Sequence, residues 1–209
     1  MALALKDLNK VPLVSVVLAN FAAFVAVTQS TDLRAVDWSS LTAALTRASP
    51  AGMALILVGI VNAQLGAEAK ARVVFLRWRN PLPGSEAFTR HAREDHRVNV
   101  GALEGAFGPL PTSPREQNAL WYRLFKSVED HLSVRQVHRE FLFTRDYACL
   151  ALLMLLVLAP LSIAEAPSIK AAMTYSGLLT LQFALVVRAA RHHGVRLVRT
   201  VLALKGAGQ

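Results

Sequence analysis

Apolar positions along this chain gather into four runs, Val11 to Thr28, Ala51 to Ala69, Ala148 to Ile163 and Ser168 to Val187. Each approaches the ~20 helical residues, at ~1.5 Å apiece, that cross a hydrocarbon core of ~30 Å, so four transmembrane helices are expected. Lys6 and Lys10 precede the first run as they would in a secretory signal. Its apolar stretch is long, however, and no small-x-small cleavage site follows, so it reads as a span. The second run is expected to stay helical past Lys70 to about Trp78, where "NPLPG" stops it, because a residue before proline is pushed out of the α region. Residues 29 to 50 carry "DWSSLTAALTRASP", with Trp38, Leu41, Ala44 and Leu45 on one helical face. That pattern predicts a short helix lying on the outer leaflet, anchored by Trp38.

Between the second and third runs the pattern changes to amphipathic. "SPREQNALWYRLFKSVED" places Ser113 as N-cap, Pro114 at the first helical position and Glu116 where a capping box needs it. Its apolar side is Leu120, Trp121, Leu124, Phe125 and Val128. "LSVRQVHREFLFTRDYACL" has Ser133 as its expected cap, presents Val134, Val137, Phe141 and Leu142, and enters the third run without a breaker. The predicted fold is an all-α integral membrane protein with four transmembrane helices and a helical cytosolic insert between helices 2 and 3. Its expected divisions are residues 1–79, helices 1 and 2 with the outer loop; 80–146, the insert; 147–187, helices 3 and 4; and 188–209, a basic amphipathic tail.

Composition agrees with this reading, since 54% hydrophobic residues against 18% charged is too apolar for a soluble domain of 209 residues. Charge then orients it. Of the 23 Lys and Arg, 20 lie in the leader, in the segment from Lys70 to Arg145 or in the tail. The positive-inside rule therefore puts both termini and the insert in the cytoplasm, with residues 29 to 50 and 164 to 167 outside. The lone Cys149 at the head of the third run excludes a disulfide framework and reads as a small buried residue.

No catalytic constellation or cofactor motif is visible: there is no glycine-rich phosphate loop after a strand, no nucleophile elbow and no zincin motif. The six histidines lack metal-ligand spacing, with His91 and His96 five apart and His131 and His138 seven apart. The net charge of +9 is the stronger signal. Arg77 and Arg79 of "RWRN" are ordinary membrane-edge chemistry in one reading and part of a basic ring facing an anionic ligand in the other. In "RHAREDHR", Arg90 and Arg93 add basic residues, diluted by Glu94 and Asp95, which can pair along a helix. In the tail, Arg188, His192, Arg196 and Arg199 line one helical side, while Val195, Val198, Val201 and Leu202 line another. That helix either lies on anionic lipid or packs on the insert and offers its basic row to phosphates.

Polar groups inside the runs form a second candidate set. Asn20 and Asn62 read as mid-span groups at matching depth, and Ser176 and Thr180 join Gly177 and Ala184 on a small, hydroxylic face. Such groups hydrogen-bond between helices or line a water-filled path. With no charge at the centre of any run, an ion-coupled carrier is disfavoured.

Span number, cytosolic insert and size make the whole chain resemble the small four-span effectors of bacterial anti-phage systems of the Hailong or Kiwa type. The resemblance is architectural and transfers no residue. It implies an oligomeric, channel-like membrane effector, because four spans are too few to enclose an aqueous path alone. Its gate would be controlled by a nucleotide, oligonucleotide or other polyanion bound at the basic cytosolic region, and opening would permeabilise the membrane. The alternative is a non-conducting membrane scaffold whose insert docks a cytosolic protein and whose basic edge meets only the lipid bilayer.

Overall fold

The computed structural model describes residues 7–29, 46 and 48–208, and the outer-loop helix expected around Trp38 lies outside them. Among the described residues there is no strand. The helices are α1 (Lys10–Gln29), α2 (Ser49–Gln64), α3 (Ala67–Phe75), α4 (Val100–Phe107), α5 (Pro114–Ser127), α6 (Leu132–Glu165) and α7 (Ile169–Gly206). Among the described residues three helical stretches are long and apolar enough to cross a membrane: Lys10–Thr28, Leu132–Glu165 and Ile169–Gly206. The fold is thus all-helical, with the apolar lengths of a membrane protein.

The expected continuous second helix is not formed. Leu65 and Gly66 are both extended, with ψ of 123° and 163°, and α2 and α3 are bent by 107° at this break. Gly66 has no side chain to favour the α region, and its peptide costs the helix more backbone entropy than any other residue would. Sixteen residues make α2 about 24 Å long, short of a ~30 Å core, so it reaches a span's length only if α3 is counted with it. The helix then ends at Phe75, before the prolines, because Leu76 turns into the left-handed region at φ 51°.

The chain divides into two compact units. One consists of Leu8–Leu65 with Asp146–Val186, the other chiefly of Gly66–Arg145 with Val187–Gln209. Helices α6 and α7 contribute to both. In the apolar unit, Phe24, Leu55, Val58, Met154, Leu158 and Leu179 make the core. Tyr175 meets the Phe24 ring edge-on at 6.1 Å and donates its hydroxyl to the Asn20 carbonyl at 3.3 Å. Outward from that core, Val11, Met53, Ile56, Leu156, Leu178 and Leu185 are exposed, an apolar exterior that suits lipid and not water.

The second unit is built on the two sequence-marked helices. Ser113 Oγ accepts the Glu116 amide at 3.4 Å to cap α5, whose Trp121, Leu124 and Phe125 are buried. From α6 come Val134, Val137 and Phe141, as the periodicity predicts, although this helix begins at Leu132, so Ser133 lies inside its first turn and its hydroxyl pairs with His131 Nδ1 at 2.8 Å. Of the two environments open to the tail, the apolar face is found against protein: Leu197, Val198, Val201 and Leu202 share one core with Trp121, Phe125 and Phe141.

Before α4 the chain makes a 3-10 turn at Pro83–Glu86, a π turn at Ala87–His91 and a short α turn at Ala92–Glu94. Gly84 seats this segment on α5. A Cβ there would come within 2.7 Å of a Trp121 ring carbon and of Asn118 Oδ1, so only glycine permits the approach. Gly194 does the same for α7, where a Cβ would lie 2.9 Å from the Phe75 ring and 3.0 Å from that of Phe141.

Candidate anion-binding cleft

Gln117 fixes the irregular segment in place. Buried to 1% exposure, its Oε1 accepts from the amides of Phe88 and Thr89 at 3.0 and 3.1 Å and from the Thr89 hydroxyl at 3.1 Å, while its Nε2 donates to the Thr112 carbonyl at 2.8 Å. The first amides of a helical turn find no acceptor within it, and one side chain supplies the acceptor for two of them. The turn so held presents Glu86, Arg90, His91 and Glu94 along one wall of a cleft of about 330 Å³.

Three arginines and two glutamates form an alternating ladder in that cleft. Arg77 pairs with Glu86 at 2.6 Å, Glu86 with Arg90 at 3.4 Å, Arg90 with Glu94 at 3.0 Å, and Glu94 with Arg199. Arg191 completes the basic set, donating its Nε to the Val74 carbonyl. Four arginines against two glutamates leave two positive charges, bordered by an apolar wall that includes Phe75, Leu82 and Val195.

The field in the cleft is visible in its titrating groups. Burial opposes ionisation of Glu86, but the hydrogen bond and charge of Arg77, with help from Arg90, outweigh it and hold the carboxyl below its ordinary value. Glu94 is held low first by its hydrogen bond from Arg90. His91 is 4% exposed, and burial followed by the charge of Arg199 pushes its pKa down. It is therefore neutral at pH 7. Both His91 Nδ1 and Arg199 Nε are buried without a hydrogen-bond partner, an arrangement that is costly unless something completes it.

Of the basic residues singled out in the sequence, the cleft gathers Arg77, Arg90 and Arg199. It does not gather the others. Arg196 turns to Glu140 on α6 at 3.3 Å, where His193 also lies at 3.2 Å. Arg79, Arg93, Arg188 and His192 are exposed away from the cleft. The basic row of the tail is thus split between two neighbours. Trp78 is not a helical residue; it follows the end of α3 and is 85% exposed.

Arg191, His91, Glu86 and Glu94 belong to the cleft without having been singled out as ligand residues. For Arg191 a signal existed, since Arg191, Val195 and Arg199 recur every four residues and share a helical face. For Gln117 none existed, because a glutamine on a helix carries no mark of burial. No group of three or more His, Cys, Asp or Glu placed to hold a metal occurs among the described residues.

The polar residues singled out within the apolar runs are also redistributed. Asn20 sits mid-way along α1 and spends its Nδ2 on the Val16 carbonyl at 2.9 Å. Asn62 lies in the last turn of α2, because that helix stops at Gln64, so the two are not at matching positions along their helices. Thr180 bonds back to the Ser176 carbonyl at 2.8 Å, and Gly177, Thr180 and Ala184 are exposed. The chain matches no protein-family model, no curated protein and no solved structure.

Proposed function

We propose that the chain is an oligomeric, channel-like membrane effector of four crossings, controlled by a small phosphorylated ligand that binds the arginine cleft of a cytosolic unit. The observation that carries this is the cleft's charge: two uncompensated positive charges beside an apolar wall. A phosphate monoester bears about −1.5 to −2 charges at pH 7 and would balance them. The volume of about 330 Å³ falls at the small end of ligand pockets, which favours a mononucleotide over an oligonucleotide threaded along the surface. Arg191 and Arg199 lie on the same unbroken helix as the apolar stretch of α7, so occupancy of the cleft has a physical route to the membrane. The exposed small face of Gly177, Thr180 and Ala184 suits close packing against another copy, which conduction requires.

The test is titration of mononucleotides, cyclic nucleotides and short oligonucleotides against the full chain in neutral detergent, where anionic lipid does not compete. Arg199→Glu is expected to weaken the best ligand by ~10- to 100-fold, as loss of a charge-assisted hydrogen bond does, while Arg93→Glu, outside the cleft, changes little. If no ligand binds more tightly than millimolar, or if both substitutions cost the same, the cleft is a structural ion-pair ladder. The scaffold that docks a cytosolic protein then becomes the better reading.

A further inference from the structure

Within the apolar unit, α1 and α2 do not close on each other along their whole length. They leave a groove of about 600 Å³ whose walls include Val14, Leu18, Phe21, Ile56 and Gly59. At one end the Phe21 ring lies 3.5 Å from where a Cβ on Gly52 would be. At the other end stand the only polar residues of the lining, Lys10 and Asn62. The two helices therefore run antiparallel, and the groove has a polar mouth and an apolar barrel.

Two features make this more than an unfilled helix contact. Asn62 is 7% exposed, yet its Oδ1 is buried with no hydrogen-bond partner among the described residues. A bare, buried amide acceptor beside an apolar groove that its own residue lines is costly, and a rotation of the side chain would let a polar group at the mouth satisfy it. The second feature is length. From Lys10 to Phe21 is eleven residues, about 16 Å of helix, which matches one leaflet of a ~30 Å hydrocarbon core.

We infer that this groove is a binding site for one anionic glycerophospholipid, its acyl chain lying along Val14, Leu18 and Gly59 and its headgroup at Lys10 and Asn62. The ammonium of Lys10 attracts the phosphate, and the Asn62 carbonyl accepts from a headgroup hydroxyl or amine. Gly59 gives the chain its room, since a Cβ there would meet nothing within 4 Å. The site is independent of the arginine cleft and stands whether or not that cleft binds a nucleotide.

The probe is phosphatidylglycerol with a photoreactive diazirine on its acyl chain, diluted into phosphatidylcholine nanodiscs holding the full chain, with crosslinked residues mapped by mass spectrometry. Labelling is expected at Val14, Leu18 and Gly59 above the level at Leu178 and Leu181, exposed apolar positions that report bulk lipid contact. Gly59→Leu, which fills open space and does not strain the fold, is expected to abolish the excess at the groove and leave Leu178 and Leu181 unchanged. Lys10→Gln is expected to cut the preference for phosphatidylglycerol over a phosphatidylcholine probe about fivefold, the effect of one cationic side chain near an anionic surface. Asn62→Leu should lower it further. Groove labelling no higher than at Leu178 and Leu181 overturns the proposal. So does labelling that Gly59→Leu leaves intact, or a Gly59→Leu effect that consists of dissociating one copy of the chain from another.

Discussion

Replacing Gln117 with Leu tests how the cleft wall is built. Leucine has nearly the volume of glutamine, so packing is kept while one acceptor serving two amides and a hydroxyl disappears. The Phe88 amide bond is buried and the Thr89 amide bond partly so. A buried donor left without a partner costs ~1–3 kcal/mol, and the partly buried one less, giving ~2–4 kcal/mol in all. The lost bond from Nε2 to the Thr112 carbonyl is excluded from that figure, since Thr112 is exposed and water can replace it. The loss falls on one segment, so hydrogen–deuterium exchange of the intact protein in detergent is the suitable assay. Peptides covering Ala87–His91 should exchange ~30- to 1000-fold faster than in the parent, with α5 and α6 much less affected. Ligand affinity at the cleft should fall in parallel, because Glu86, Arg90 and His91 are carried by that turn. Exchange at Phe88 and Thr89 within threefold of the parent would refute the claim that Gln117 holds the wall.

Two further predictions concern pH and topology. His91, His138 and His193 all have pKa values pushed below the ordinary 6.5, by burial first in each case. Because the unfolded chain takes up protons that the folded one refuses, their contribution is fully present above pH ~6.5 and is lost as pH falls through that value toward the lower folded values. Asp95 shifts in a different window: Arg97 holds it at about 2 against 3.8, so its stabilisation persists above pH ~4. Thermal unfolding between pH 7.5 and 5 should therefore show a loss that His138→Phe reduces and Asp95→Asn does not. For topology, a reporter fused after Gln209 or inserted near Gly105 should report cytoplasm and one near Ser40 the outside; an external signal at Gly105 would reverse the scheme.

What the sequence determined by itself was everything that depends on local pattern. The apolar runs gave α1, the second half of α6 and the first half of α7. Ser113 with Pro114 gave the start of α5, and period-3.6 spacing gave the buried faces at Trp121, Leu124 and Phe125, at Val134, Val137 and Phe141, and at Val198, Val201 and Leu202. Burial on a helix follows from spacing alone, so these faces were legible. The break at Leu65 and Gly66 was not, because hydropathy averages over a window and the run from Ala51 to Ala69 hides one extended glycine. Ion-pair choice was also hidden: Arg196 and Arg199 are three residues apart on one helix, yet one meets Glu140 and the other Glu94. Those partners are 56 and 105 residues away in sequence, and only packing decides which carboxylate stands opposite which guanidinium. The cleft exists for the same reason. Its cations come from the segment just after α3, from the π turn and from α7, and they become one site only after Gln117 has fixed the turn and Gly194 has let α7 close on Phe75.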